Sequence, residues 1–172
     1  MMLNKIIEEP NLFALHRSAC EENGICIRVC DKLLDNDELR HDLIVILKVD
    51  AYYCSKHMHN PPPAIDCLVV VKSEDAAFGL TLVELRNVSS ARDIHPRKIR
   101  PKFDTTINDF LSVKFANIFL CNDFEISHFQ LWLVTNPYNW PPLSEEQYLK
   151  KVKGTVLDMY LSDKPYRFRN KV

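Results

Sequence analysis

Apolar and polar residues follow one another along this chain in patterns that predict both strands and helices. Five segments have the short apolar or alternating pattern of a β-strand: residues 25–30, 43–47, 65–71, 80–86 and 124–135. The second of these segments ends near Asp50. The third and fourth are separated by a turn region over residues 72–79 and therefore form an antiparallel hairpin.

Three other segments have the periodicity or the end signals of helices. Residues 9–23 begin around Pro10 and stop at Asn23-Gly24. Asp104 predicts the N-cap of a helix over residues 105–120, and a capping-box sequence at residues 144–147 opens a last helix to about residue 161. The order is helix, strand, strand, strand, helix, strand. Because the middle strands are apolar on both faces, we expect an α/β domain with helices on both sides of the sheet.

Length and composition predict a single domain and exclude several enzyme classes. The 172 residues, 47% of them hydrophobic, suffice for one core. We expect one domain over residues 1–172, with its core at about 9–135 and a C-terminal helix and basic tail at 144–172. The three glycines are far apart, whereas dinucleotide-binding loops and P-loops need clustered glycines. Rossmann dehydrogenases, P-loop NTPases and Gly-loop kinases are therefore excluded.

The N-terminal residues and the apolar runs indicate a compartment. The first residues lack the basic stretch and apolar run of a signal peptide, and no window approaches 18 uninterrupted apolar residues. We therefore expect an intracellular protein, cytoplasmic or in the nucleoid or nucleus, that is not secreted and has no membrane partner. The six cysteines are then expected to be free or metal-bound.

Charge is divided unevenly between the two halves of the chain. Residues 1–85 hold 8 Lys and Arg against 14 Asp and Glu, and residues 86–172 hold 14 against 9. The basic excess is greatest in a Pro-broken segment, predicted as a loop, that leads to the helix at Asp104. Five side chains in this segment are expected to hold a phosphate backbone without reading bases: Arg92, Arg97, Lys98, Arg100 and Lys102. The alternative is a solvated surface loop.

The predicted hairpin places two carboxylates opposite each other. A symmetric register pairs residue 66 with 84, 68 with 82 and 70 with 80, so that Asp66, Glu84 and Arg86 share one face. Two carboxylates on an apolar hairpin repel each other unless a cation lies between them. A divalent ion with oxygen ligands, Mg²⁺ or Mn²⁺, is the natural candidate, and Asp50 is available as a third carboxylate.

These residues resemble the PD-(D/E)XK nuclease superfamily, which has the restriction-endonuclease-like fold. Pro63-Ala-Ile-Asp66, a hairpin and Glu84-Leu-Arg86 are similar to its motif, and the element order over residues 9–135 is similar to its α-β-β-β-α-β core, a central mixed sheet flanked by helices. The resemblance implies a metal-dependent DNA endonuclease in which Asp66, Glu84 and the backbone carbonyl of Leu85 bind Mg²⁺ or Mn²⁺. It also implies that a homodimer or a larger complex cuts both strands.

The chain departs from that motif at its lysine. Arg86 stands where the superfamily has Lys, and a guanidinium stabilises charge but does not act as a base. Three outcomes remain open at this point. Activity uses Arg86 as a charge stabiliser, or Lys72, Lys98 or Lys102 reaches the site, or catalysis has been lost. In the last case the domain is an inactive nuclease-like module that binds protein or nucleic acid within a larger complex.

Cysteine and histidine residues offer a separate hypothesis, a zinc or iron–sulfur site. Cys54, His57, His59 and Cys67 lie within 14 residues, although their spacing matches no standard zinc finger. The set Cys20, Cys26 and Cys30 is a second possibility. The alternative for both sets is buried cysteines and exposed histidines without a metal.

Overall fold

The computed structural model describes residues 1–56, 59–73, 76–88 and 93–135. Nine strands lie in these residues: β1 (His16–Arg17), β2 (Glu21–Glu22), β3 (Ile25–Cys26), β4 (Leu34–Asp35), β5 (Glu38–Leu39), β6 (Ile44–Lys48), β7 (Cys67–Lys72), β8 (Ala77–Arg86) and β9 (Glu125–Thr135). The four long strands, β6 to β9, lie where the apolar runs predict them. The predicted C-terminal helix and basic tail lie outside the described residues.

Helical segments connect these strands. The described part of the chain contains α1 (Met2–Glu8), α2 (Pro10–Phe13), α3 (Val49–Cys54), α4 (Pro96–Thr105) and α5 (Ala116–Phe119), with a 3₁₀ turn at Asp31–Leu33 and a π-helix at Thr106–Lys114. None of the described helices combines the length and the apolar character that crossing a bilayer requires.

A mixed five-stranded sheet forms the centre of the protein. Its strand order is β1-β6-β7-β8-β9, and β6, β7 and β8 form an antiparallel meander. Helix α4, the π-helix and α5 then carry the chain to β9, which pairs parallel with β8. The predicted α/β class with a central mixed sheet is confirmed.

The register of the β7–β8 hairpin matches the one that the sequence predicts. Leu68 pairs with Leu82 and Val70 with Leu80. The connection is shorter than expected, because β8 begins at Ala77 and Gly79 lies inside the strand instead of in the turn. The pairing of β8 with β9 shifts by one residue at Gly79, a site where the missing side chain eases the irregularity.

The two faces of the sheet are covered differently, and the expectation of helices on both sides is wrong for the described residues. Side chains such as Leu47 and Leu82 face a core formed with helices α1 to α5 and the π-helix. Side chains such as Ile46 and Val83 face the segment over residues 20–39, which contains the β2–β3 and β4–β5 hairpins. Short hairpins suffice there because they bury a smaller set of apolar residues.

Two of the predicted helices have different bounds. The helix expected over residues 9–23 ends at Phe13, and His16–Arg17 instead pairs with Ile46 and Leu47 at the sheet edge. Tertiary hydrogen bonding thus overrides a helical pattern in the sequence. The helix expected from Asp104 begins at Pro96, so the basic segment is not a loop from that point onward. Proline suits the first position of a helix, because an N–H at that position has no acceptor within the helix and its absence costs no hydrogen bond.

The cysteines differ in part from expectation. Cys20 and Cys67 form a disulfide bond, so the prediction of free or metal-bound thiols is wrong for these two residues. This bond also removes one thiol from each of the two proposed metal-binding sets. The free thiols in the described residues are those of Cys26, Cys30, Cys54 and Cys121. His57 lies outside the described residues.

Candidate functional site

Asp66 and Glu84 lie at the open end of the central hairpin. Asp66 directly precedes β7, Glu84 lies near the end of β8, and their exposed fractions are 4% and 0%. The Leu85 N–H donates a 2.7 Å hydrogen bond to Oδ2 of Asp66. Since the N–H and C=O groups of a strand residue point to the same neighbouring strand, the Leu85 carbonyl also points to the Asp66 side. The structure therefore brings together the pair that the register predicts.

A lysine from helix α4 reaches both carboxylates. The Lys102 Nζ lies 2.7 Å from Oε1 and 3.0 Å from Oε2 of Glu84, and 3.9 Å from Oδ1 of Asp66. The Thr106 hydroxyl donates to the Lys102 carbonyl (2.9 Å) and accepts from the N–H of Ile65 (3.3 Å). This bridge fixes the end of α4 beside Asp66, and the Lys102 side chain is therefore held over the pair.

Arg86 adds a second cation beside Glu84. Its Nε lies 2.8 Å from Oε1 of Glu84, which is an ion-pair distance, but the two groups are not aligned as a hydrogen bond. The Arg86 side chain is half-buried.

A second group of carboxylates adjoins Asp66. Ligand oxygens of Glu22, Asp50 and Asp66 all lie within 4.8 Å of one another. The Lys48 Nζ is hydrogen-bonded to Glu22 and lies 3.5 Å from Oδ2 of Asp50 and 4.0 Å from Oδ1 of Asp66. Asp50 belongs to the first turn of α3 instead of ending a strand, and its Oδ1 is buried without a hydrogen-bond partner.

The sequence predicted Asp50 in this site but missed Glu22 and Lys48. A signal for Glu22 was present in Asn23-Gly24, a pair that favours a tight hairpin turn as well as a helix end. Both residues have positive φ, 49° and 79°, and they connect β2 to β3. The turn directs Glu22 back toward the sheet. Lys48 ends β6, where nothing in the pattern distinguishes it from a solvated lysine.

Burial controls the protonation of this site. Burial and the neighbouring charge of Asp66 raise the pKa of Glu84 to about 7, against the opposing influence of Lys102 and Arg86. Burial also raises the pKa of Asp50. Although burial lowers the pKa of Lys48, the hydrogen bond to Glu22 and the nearby carboxylates raise it overall. The site contains four carboxylates and three cationic side chains: Glu22, Asp50, Asp66 and Glu84, with Lys48, Arg86 and Lys102. Negative charge is therefore in excess when all seven groups are ionised.

The residues predicted to contact a phosphate backbone are divided between two positions. Arg97 and Lys98 are exposed on α4, as expected for such contacts. Arg100 is half-buried, with Nε 3.8 Å from Asp104 Oδ2. Lys102 turns inward to the carboxylates and does not lie on the outer surface. Arg92 lies outside the described residues.

The three lysines proposed as substitutes for the motif lysine differ in position. Lys72 pairs with Phe78 at the end of β7 opposite to Asp66, and Lys98 is exposed one turn earlier on α4. Of these three lysines, Lys102 is the one whose ammonium group lies within ion-pair distance of Glu84 and Asp66.

A cleft lies between α3 and the π-helix. Its volume is about 680 Å³, and its lining includes Lys56, Asn108, Asp109 and Lys114. Tyr53 and Asp109 both line this cleft, and the Tyr53 hydroxyl donates a 2.8 Å hydrogen bond to Oδ2 of Asp109. Burial and this bond raise the pKa of Tyr53, so its hydroxyl stays protonated and acts as a donor.

Comparison with known proteins gives no match. No family model, no curated protein and no solved structure is significantly similar to this chain. The side chains around Asp66 and Glu84 are therefore the basis for assigning a chemistry to the protein. The site combines hard oxygen ligands, which suit Mg²⁺ or Mn²⁺, with a lysine and an arginine, which suit a phosphate group.

Proposed function

We propose that the protein is a metal-dependent nucleic-acid phosphodiesterase of the DNA endonuclease type. One observation carries the proposal: Asp66 and Glu84 are buried side by side and share the ammonium group of Lys102. Burial of two carboxylates is unfavourable, and groups perturbed in this way cluster at functional sites. The β6–β7–β8 meander followed by parallel β9 supports a restriction-endonuclease-like core.

The carboxylates of this site fit a hard divalent cation. Asp66 and Asp50 belong to a group of oxygens within 4.8 Å of one another, and Glu22 completes it. We propose that Asp66, Glu84, Asp50 and the Leu85 carbonyl hold Mg²⁺ or Mn²⁺, with Glu22 as a further ligand. The bound ion would stabilise the negative charge that develops on the phosphate.

Protein side chains supply the remaining chemistry in this proposal. Lys102 takes the place of the motif lysine and orients the attacking water by hydrogen bonding from Nζ. Arg86 holds a phosphate oxygen beside Glu84. Arg97 and Lys98 contact the flanking backbone, with Arg92 and Arg100 as additional cations. The expected intracellular location and assembly as a homodimer or within a larger complex belong to the same proposal.

Cleavage assays test this function directly. The full chain is incubated with circular single-stranded DNA, circular duplex DNA and RNA, in Mg²⁺, in Mn²⁺ and with a chelator. We expect metal-dependent cleavage that Asp66→Ala and Glu84→Ala both abolish, while the exposed control Asp35→Ala retains it. Cleavage that survives both site substitutions would contradict the assignment.

A second candidate function rests on the same ammonium group. Lys102 and Arg86 both lie within ion-pair distance of Glu84, and Lys48 lies among the other carboxylates, so cationic side chains already occupy this site in part. The alternative is therefore an inactive nuclease-like module that binds nucleic acid or protein. Binding of DNA without cleavage in either metal, unchanged by Asp66→Ala, would favour this alternative.

A further inference from the structure

The disulfide bond adjoins the carboxylate site on both of its sides. Cys20 directly precedes β2, which carries Glu22, and Cys67 directly follows Asp66. Both cysteines are fully buried. One covalent bond between residues 47 positions apart therefore ties the two segments that supply Glu22 and Asp66.

Within the described residues, the β2–β3 hairpin is held against the sheet by a small set of side chains. Each of its strands has two residues, and a hairpin of this size has little stability by itself. Ile25 is its buried apolar residue, Asn87 donates a 2.9 Å hydrogen bond to the Asn23 carbonyl, and Lys48 bonds to Glu22. The Ile27 N–H donates to the Cys20 carbonyl at 3.1 Å within the hairpin, and since the hairpin has little stability by itself, this bond should open when the hairpin leaves the sheet.

We propose that the Cys20–Cys67 disulfide is a redox-controlled clamp that positions Glu22 at the metal site. This inference rests on the proposed function, since it assigns Glu22 a place in the same cation site. When the bond is intact, Glu22 stays within reach of Asp50 and Asp66. When the bond is reduced, the hairpin separates from the sheet and the site loses one carboxylate.

The reduction step needs a dithiol reductant. Its thiolate attacks one sulfur and forms a mixed disulfide, and its second thiol then displaces that sulfur. Two electrons pass to the protein, the S–S bond breaks, each cysteine sulfur ends with a proton, and the reductant becomes a disulfide. Because both sulfurs are buried, attack requires a transient local opening around the bond, and the hairpin separates fully only after the bond is broken. In the expected intracellular location, disulfides are usually transient or redox-sensing, which suits such a clamp.

Hydrogen exchange and Mn²⁺ binding test the clamp on the full chain. Oxidised protein is compared with protein that has been reduced with a phosphine and then freed of reductant. We expect exchange at the Ile27 amide to be about tenfold faster or more in the reduced form, and Mn²⁺ affinity to be about tenfold lower. Cys20→Ser with Cys67→Ser should reproduce the reduced form, and chemical reduction supplies the same comparison if that variant folds poorly.

A matched pair of variants separates a metal ligand from a structural residue. Oxidised Glu22→Gln should lose Mn²⁺ affinity as reduction does, and reduction should then change it no further. Glu21→Gln, at the exposed neighbouring position of β2, should behave as the wild type in both forms.

Three results distinguish the disulfide clamp from the proposed metal-dependent function. Equal Ile27 exchange in the oxidised and reduced forms would overturn the clamp, and so would a loss of affinity on reduction that persists in Glu22→Gln. Faster Ile27 exchange on reduction, with Mn²⁺ binding to neither form, would support the clamp as a tether of the hairpin and refute the proposed metal-dependent function.

Discussion

The protonation of Glu84 makes the stability of the fold depend on pH in a defined direction. Its pKa in the folded protein is about 7, above the ordinary value of 4.5, because burial and Asp66 outweigh the two neighbouring cations. The folded state therefore binds this proton more tightly than the unfolded state. Glu84 contributes stability below about pH 4.5, and this contribution is lost as the pH rises to about 7 and above.

Glu84→Gln removes this titration and keeps the shape of the protonated side chain. At about 1.4 kcal/mol per pKa unit, the difference between 4.5 and about 7 corresponds to about 3 kcal/mol. We expect the free energy of unfolding of the wild type, relative to that of Glu84→Gln, to fall by about 3 kcal/mol between pH 4.5 and pH 8. Urea denaturation at several pH values measures this difference. Glu125→Gln, at an exposed position, controls for the removal of a carboxylate.

The opposite result is physically possible and would refute the reasoning. If Lys102 and Arg86 outweigh burial, Glu84 stays ionised in the folded protein to low pH. The wild type would then gain stability relative to Glu84→Gln as the pH rises toward 4.5, and the difference would change little between pH 4.5 and pH 8. A difference that does not change with pH would also contradict the raised pKa.

Three further predictions concern other parts of the molecule. At pH 8, Lys102→Met should lower the free energy of unfolding, measured by urea denaturation, by about 2–3 kcal/mol, because Arg86 is then the one cation left beside Glu84 in the described residues. Lys98→Met, at an exposed position, should not lower it. Equal losses in the two variants would contradict the inward role of Lys102. Asp109→Ala should lower the free energy of unfolding by about 1–3 kcal/mol, because the buried Tyr53 hydroxyl loses its hydrogen-bond acceptor. A loss no larger than that of Asn108→Ala would contradict this role of Asp109. The double variant Arg97→Ala, Lys98→Ala should bind DNA of any sequence more weakly in fluorescence anisotropy. The slope of its binding constant against salt concentration, on logarithmic scales, should fall by about one ion per side chain. An unchanged slope would exclude these two residues from the interface.

The central hairpin was predictable because local patterns determine it. The apolar runs on both sides of residues 72–79 set the two strands, and their lengths set the register that pairs Leu68 with Leu82. Since that register also fixes which side chains face each other, Asp66 and Glu84 could be paired from the sequence. The apolar pattern also predicts the strand over residues 124–135, but not its parallel pairing with β8.

The other half of the site depends on tertiary contacts that the local pattern does not contain. Lys102 approaches the carboxylates because α4 begins at Pro96 and is anchored by Thr106, whereas the periodicity suggested a helix only from Asp104. Glu22 arrives through a hairpin whose Asn-Gly turn also reads as a helix end. The partner of Cys67 could not be deduced, since six cysteines allow many pairings.

The response of the melting temperature to Mg²⁺ tests the metal site without the need for a substrate. Asp66→Asn removes one negative charge and keeps an acceptor for the Leu85 N–H, so the variant retains the local hydrogen bond. At a Mg²⁺ concentration of about one hundred times the dissociation constant, binding contributes about 2.7 kcal/mol. For a chain of this length, that corresponds to a rise in melting temperature of about 5–10 °C. We predict this rise in the wild type and none in Asp66→Asn; an equal rise in both, or no rise in the wild type, would contradict the proposed metal site.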